Sequence, residues 1–544
     1  MKKINNLLKL MFFCGVLILV SCETTNLDLV DNPNKIAPDQ ADPDLFLNAI
    51  QVNFAKEIVE PFGRTGAEVT RIDNMAGRDY LNAYSPTLFD REWRFAYQSI
   101  MEDIRLMNIL AAEKDFKYHI GIGQVIQAYT IMTLVDFFGD VPYSEALQGL
   151  DNFNPMADSG ASVYAAAIDL LDAAIANFSE EATGEPQYDF FYNGDWDKWI
   201  KAANTLKMKA YMTTRLVDGS AVANFNTIVA SDNYISSNDD DFQFTWGKNE
   251  IQPDTRHPRY DASYFSTGGQ DYMSNWLMNE MLTTDDPRLL YYYYRQNEAT
   301  PGFGADPDEE TLACSLETAP AHYAGFTFCG LSNGYWGRDH GDDDGIPPDG
   351  FLRTLVGVYP AGGAFDDGSF KGQKNGDGRG GDGITPVMLA SWVDFMKAEL
   401  ALQSGGAGEA AAKQALLDGI AKSMAKVTSF ATNEDPDEGD NITDHSDNIG
   451  NAFDAATDKM EVVASQYFIA LYGNGIDAYN FYRRTGYPQG LQPNLEPNPG
   501  GFIRSFYYPA NYANTNSNAT QKNGVDVQVF WDTNPASPGF PVAN

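Results

Sequence analysis

The residues best suited to chemistry in this chain stand together in one stretch, Tyr335-Trp336-Gly337-Arg338-Asp339-His340. A sugar site needs aromatic faces for the C–H side of a pyranose ring. It also needs planar polar groups for the hydroxyls, because polar groups taken out of water must be paired. This stretch holds both. Trp336 could stack, Arg338 and Asp339 could bond hydroxyls two at a time, and His340 could assist. The same residues equally fit a packed anchor, Trp336, beside a local Arg338–Asp339 ion pair. A second group is Arg71, Asp73, Asn74, Arg78, Tyr80 and Asn82. A third is Trp276 with Tyr272, on a short helical segment, where core packing is the simpler reading.

Other patterns carry less. Asp342-Asp343-Asp344-Gly345, with Asp366-Asp367 and Asn375-Gly376-Asp377, offers oxygen ligands of the kind Ca²⁺ takes. It is not an EF-hand, since His340 stands five before Gly345 and Phe351 falls at the twelfth loop position. A structural Ca²⁺ would relieve repulsion between these neighbours; a solvated acidic loop is the other reading. Nothing else in the sequence requires a cofactor. Gly330-Leu331-Ser332-Asn333-Gly334 matches the G-x-S-x-G elbow of serine hydrolases, but no helix pattern follows it and no α/β alternation surrounds it. Paired carboxylates for glycoside hydrolysis leave no local signature among so many acids. No HExxH, Walker A or strand-linked GxGxxG occurs.

The elements that must position these groups are mainly helical. In 161–178, Val163, Ala166, Ala167, Leu170, Leu171, Ala174, Ile175 and Phe178 recur at helical spacing. Similar periodicity runs through 43–59, 92–113, 117–136 and 195–217, and returns at 386–404, 407–427 and 457–484. This predicts helical hairpins over about 42–235 and 386–484, without a clean 34-residue repeat. Between them, about 236–385 is rich in Gly, Pro, Asp and aromatics and reads as loops, with helical pattern only near 271–283. The tail 485–544 is irregular, with a strand-like run from Val525 to Trp531.

Composition narrows the partners. The 544 residues carry 37 Lys+Arg against 75 Asp+Glu, a formal charge of −38. Such a surface repels phosphate backbones, which excludes nucleic acid, and it offers no basic patch to anionic lipid. At the N-terminus, Lys2, Lys3 and Lys9 precede an apolar run, Leu10 to Val20, too short to span a bilayer. The run ends Leu19-Val20-Ser21-Cys22, the form of a bacterial lipobox. Residues 1–21 then read as a signal peptide, Cys22 as the lipidation site, 22–41 as anchor and tether, and 42–544 as one domain. Cys14 leaves with the signal, so Cys314 and Cys329 remain. In an oxidising space a structural disulfide between them is the preferred reading over a redox pair.

Several further segments recur in order. They are Asp136-Phe137-Phe138-Gly139-Asp140-Val141-Pro142-Tyr143-Ser144, Asp286-Pro287-Arg288, Gln466-Tyr467 to Tyr472, Arg483-Arg484-Thr485-Gly486-Tyr487-Pro488, Tyr507-Tyr508-Pro509 and Phe530-Trp531-Asp532. Behind a lipobox, this order resembles the SusD/RagB family of outer-membrane nutrient-binding lipoproteins, most of all its second large subfamily. The resemblance covers essentially the whole mature chain. It departs at Gln466-Tyr467, where the family often has Lys before the Tyr. The motifs themselves read as architectural: Gly139 and Pro142 end one helix, Gly486 and Pro488 another.

The resemblance implies a binding protein rather than an enzyme. It implies tetratricopeptide-like hairpins supporting a loop-rich ligand region, with aromatic platforms on the loop side. Members capture oligosaccharides, or in some cases peptides, and pass them to a SusC-like TonB-dependent transporter. The founding subfamily also places ligand contacts in the region of Arg71 to Asn82. The implied place is the outer membrane, lipid-anchored and facing outward, although Glu23-Thr24-Thr25-Asn26 is not a strongly acidic export tag. Three functions follow as candidates: glycan capture, peptide capture on the same scaffold, and surface glycoside hydrolysis. The acidic surface favours a neutral glycan, such as a β-glucan, unless Ca²⁺ bridges an acidic one.

Overall fold

The computed structural model describes residues 42–264, 271–303, 312–343, 352–358, 362–430 and 438–535. The readings at 1–41, Cys22 among them, lie outside these residues, as does Asp344. α1 (Pro43–Asn53) runs through a π-helical stretch, Phe54–Val59, straight into α2 (Glu60–Val69). α3 (Tyr80–Ala83) is a single turn. α4 (Asp90–Arg94) continues through a second π-helical stretch, Phe95–Met101, into α5 (Glu102–Glu113). α6 (Lys117–Phe138), α7 (Gly160–Phe178), α8 (Trp196–Thr214) and α9 (Ala221–Ser231) follow. Ser159 and Asp195 cap α7 and α8 by accepting from the Ser162 and Lys198 backbone N–H groups.

The middle of the chain is irregular, as its composition predicts. It holds β1 (Phe242–Thr245), α10 (Pro258–Ser263), α11 (Asn275–Thr283), α12 (Leu289–Tyr292), β2 (Tyr293–Tyr294), β3 (Leu355–Val356) and β4 (Ile384–Met388). β1 pairs antiparallel with β4, and β2 with β3. Helices return as α13 (Ala390–Leu402), α14 (Glu409–Thr428), α15 (Glu438–Ala455), α16 (Lys459–Ala470) and α17 (Ile476–Thr485), with a short α18 (Ala510–Thr515). The helix expected from 386 therefore starts at Ala390, because 384–388 is drawn into a strand by β1. The run expected over 457–484 is two helices. Val525 to Trp531 is not a strand: Val525 O takes both the Arg504 and the Ser505 N–H groups instead of entering a ladder.

Successive helices pack in pairs, α6 on α7, α7 on α8, α8 on α9, and α13 on α14. From Pro43 onward the chain forms one unit. Its two helical stretches meet where α2 crosses α17. A Cβ on Gly66 would stand 2.4 Å from the Gly475 carbonyl oxygen, so glycine sets this approach. α6 and α7 are apolar and long enough to cross a membrane by composition alone. α6 spends that apolarity on the protein interior, where 83% of its apolar window is buried. In α7 alanines raise the average, and one face (Val163, Ala167, Leu171, Ala174, Phe178) is buried.

At the end of α6 the Asp136 carboxylate is fully buried. It accepts from the Tyr164 hydroxyl, from Asn480 Nδ2 at 2.7 Å and from Trp531 Nε1 at 3.0 Å. Its backbone oxygen takes Arg483 Nη1 at 2.8 Å. One side chain thus ties α6, α7, α17 and the C-terminal segment. Burial raises its pKa, and Lys209, Tyr164, Arg483 and Asn480 work against that rise. Asp286 and Arg288 form a second buried knot. Arg288 binds Asp286, Gln466 Oε1 at 2.7 Å and Ser423 Oγ at 3.0 Å. Gln466, at the position that departs from the family pattern, is therefore an acceptor for a guanidinium, a role lysine cannot fill.

Two outcomes follow. Asp136→Ala strands three buried donors and should cost about 3–5 kcal/mol, read as a lower urea midpoint, with Asp136→Asn costing less. An unchanged midpoint for Asp136→Ala would show that the knot carries no weight. His257 begins α10 and accepts the Arg259 N–H at 3.1 Å through Nδ1. Burial, with Arg259 beside it, pushes its imidazole from 6.5 down to about 3. The unfolded chain takes this proton first, so the stability His257 contributes is complete above its ordinary pKa and is lost as pH falls toward the folded value. In a proton NMR titration its ring signal should stay at the neutral position at pH 5; movement near 6.5 would contradict this.

Candidate functional site

The structure brings the first two sequence clusters together and turns them inward. Arg71 lies on a backbone with φ +64° and is fully buried. Its Nε donates to Gln492 O at 2.8 Å, Nη1 to Val69 O at 2.5 Å and Nη2 to Tyr80 Oη at 3.3 Å. Tyr80 is buried, its ring 6.0 Å from that of His340. Asp339 accepts from Cys329 N at 2.6 Å, Asn275 Nδ2 at 3.1 Å and Gln492 Nε2 at 2.8 Å. Burial raises its pKa and these three donors oppose the rise. Burial, then Arg71, pushes His340 well below the usual imidazole value. Asp73 pairs with Arg259 at 2.9 Å. These groups staple 71–82 to 335–341 and to Gln492.

Trp336 is 3% exposed and packs with Leu312, Cys329, Phe303 and Phe328. A stacking platform needs an open ring face, and here both faces are covered by the protein, so the anchor reading applies. Cys314 and Cys329 are joined beside it, with a Cα–Cα distance of 5.5 Å. Arg338 stacks on the Tyr272 ring at 4.0 Å, and Arg353 stacks on the same ring at 4.2 Å. The expected Arg338–Asp339 pair does not form; Arg338 instead lies 4.0 Å from Asp342. Trp276 is buried, and its Nε1 donates to Gly490 O at 2.9 Å. Asn82 is exposed and bound to Asp79. In the acidic run, Asp343 faces Arg78 at 3.2 Å. Among the described residues no group of three or more His, Cys, Asp or Glu could hold a metal ion. Ser332 sits in a turn with no helix after it.

The open aromatic surface lies elsewhere. A cleft of about 630 Å³ is lined by Trp93, Arg94, Tyr97 and Gln98 from α4 and its π-helical continuation, by Phe153 and Pro155, and by Asn511 and Tyr512 of α18. Trp93 is half-buried and packs edge-on against Phe138 at 5.3 Å. Its ring lies 4.7 Å from Tyr512 at 35° and 5.1 Å from Tyr97 at 40°. Phe153 is 70% exposed at the rim, with Leu150 and Met156 exposed nearby. Burial pushes the Tyr512 hydroxyl up to about 12, so it is a neutral donor and acceptor.

The family-like motifs hold this cleft open. Tyr97 Oη donates to Pro142 O at 2.7 Å, and Tyr508 Oη to Asp140 O at 2.8 Å. Asp90 Oδ1 accepts the Asn511 N–H at 2.8 Å, and Asn516 Nδ2 donates to Pro155 O at 2.8 Å. The sequence reading missed these residues. At α-helical spacing Trp93 and Tyr97 fall in with the stripe Ala96, Ile100, Ile104, Met107 that the helix buries, so the sequence carried no signal that they face a cleft.

The chain matches two family descriptions. One, "Starch-binding associating with outer membrane", covers residues 33–311; the other, "Susd and RagB outer membrane lipoprotein", covers 382–529. A solved SusD/RagB family protein from Bacteroides thetaiotaomicron superposes with a TM-score of 0.64 at 19% identity, over 91% of this chain and 100% of that one. A SusD homologue from Bacteroides fragilis gives 0.65 at 18% identity over 91% and 100%. A chitin-binding SusD homologue from Flavobacterium johnsoniae gives 0.63 at 19% identity over 91% and 99%. At these identities the likeness is one of fold. No curated protein sequence matches. The first family match alone spans more than half of the sequence, and the second lies behind it in order: the chain belongs to the SusD/RagB family of outer-membrane lipoproteins.

Proposed function

We propose that this protein is a glycan receptor of the outer membrane, lipidated at Cys22, facing outward, which captures oligosaccharides in the Trp93 cleft and hands them to a SusC-like TonB-dependent transporter. The observation that carries the reading is the cleft. It presents tilted aromatic faces beside side-chain amides of Gln98 and Asn511 and the Arg94 guanidinium. That combination suits a ligand with apolar C–H faces and many hydroxyls. Its volume lies in the range of about 300–1,000 Å³ usual for small-ligand sites. The family description names starch, and one solved relative is called chitin-binding, which supports a glycan as the class of ligand.

The test is binding of the mature protein to soluble polysaccharides by native affinity electrophoresis, followed by calorimetry with oligosaccharides. Trp93→Ala should weaken binding tenfold or more, about 1.4 kcal/mol, and, since Trp93 is only partly buried on the core, lower the melting temperature less than Trp336→Ala does. Trp336→Ala should do the opposite, costing about 3–5 kcal/mol of stability as a core deletion while changing affinity by less than twofold. Affinity untouched by Trp93→Ala would remove the cleft as the site. Binding to oligopeptides and to no glycan would replace the reading with peptide capture.

A further inference from the structure

Among the described residues, one charge lining the cleft, Arg94, has no carboxylate partner. Arg288, Arg484 and Arg504 each end on a carboxylate, in a chain where acids outnumber bases two to one. Arg91, at the same cleft, is paired with Glu57. Asp90 turns its Oδ1 to the Asn511 N–H. Arg94 is exposed, lines the cleft, and among the described residues its guanidinium meets only the Phe95 ring, at 5.8 Å. Among the described residues no carboxylate or carbonyl accepts from it. Arg94 follows Trp93 in the chain and both line the cleft, so a ligand held there would meet the guanidinium as well as the aromatic rings.

We infer that the cleft selects a sugar bearing a carboxylate, a uronic acid, with Arg94 as the specificity-determining residue. The inference rests on the glycan reading above and deepens it. A planar guanidinium matches a carboxylate with two parallel charge-assisted hydrogen bonds, which a hydroxyl pair accepts more weakly. The formal charge of −38 argues for a neutral ligand at long range. However, charges beyond about 8 Å are largely screened at physiological salt, so the group in contact decides. The Asp90 carboxylate, the one acid lining the cleft, is already engaged.

Calorimetry on the mature protein in detergent tests this with two sets of tetrasaccharides. The neutral set is cellotetraose, chitotetraose and maltotetraose; the uronate set is tetragalacturonate, tetramannuronate and tetraguluronate. At least one uronate should bind tenfold or more tighter than any neutral oligomer. Arg94→Gln should collapse that ratio to about one, and Arg94→Lys should restore part of it. Arg94 is exposed, so both variants should melt as the parent does. Equal affinity for the two sets, or an uronate preference that survives Arg94→Gln, overturns the inference and leaves the cleft reading standing. Binding to neither set overturns both.

Discussion

The buried carboxylate of Asp136 is the constraint on which the architecture depends. A charge taken out of water must be met by donors on every side, and here the donors come from segments far apart in the chain: Tyr164, Asn480 and Trp531. Arg483 adds its own bond to the Asp136 carbonyl and lies over the Trp531 ring at 4.6 Å. Arg504, whose carbonyl also takes Arg483, pairs with Asp532. The motifs that stand apart in the sequence are therefore parts of one assembly. Once it forms, the end of α6, the end of α17 and the segment at Trp531 and Asp532 have fixed relative positions. The loop leaving α6 then lies against Tyr97 and Tyr508, and the cleft is a consequence of that placement rather than an independent feature.

The same chemistry explains why the first two sequence clusters are not an open site. Aromatic rings, guanidiniums, amides and carboxylates are what a sugar needs, and they are also what a loop-rich region needs to satisfy its own backbone. Between 236 and 385 regular secondary structure is sparse, so many peptide groups must find side-chain partners. Asp339 supplies an acceptor to the Cys329 N–H, Arg71 supplies donors to the Gln492 and Val69 carbonyls, and Thr354 caps the Trp336 N–H at 2.8 Å. Residue type alone does not separate a polar knot from a polar site; burial does, and burial is a tertiary property.

Long helices with a clear stripe were legible, because 3.6-residue periodicity is local: 117–136, 161–178 and 195–217 appear nearly as read. Register with a partner was not. The start of the 386–404 segment becomes β4 only because β1 lies beside it. α15 went unread although Ile442, His445, Ile449 and Phe453 mark its inner face, since Asp, Asn and Gly around them disfavour helix intrinsically. Packing of Ile449 and Phe453 into the core overrides that preference. The Cys314–Cys329 pair could be reached by elimination, because the sequence reading assigns Cys14 to a signal peptide and Cys22 to lipidation.

The cleft escaped for a geometric reason. The stretch Phe95–Met101 is π-helical, with a wider turn than the α-helix on either side. An α-helical count through 92–113 places Trp93 and Tyr97 near the buried stripe and gives no cause to look outward. The wider turn lets Ala96 and Ile100 stay in the core while Tyr97 and Gln98 reach the cleft. An exposed aromatic cluster also has a thermodynamic meaning. Most of the large aromatic side chains in this protein are buried, and leaving Trp93, Phe153 and Tyr512 partly in water forgoes burial worth roughly 25 cal/mol per Å². Fixing Tyr97 on Pro142 and α18 on Asp90 holds Tyr97 and Tyr512 against the Trp93 ring, at 5.1 and 4.7 Å, and leaves Phe153 exposed at the rim.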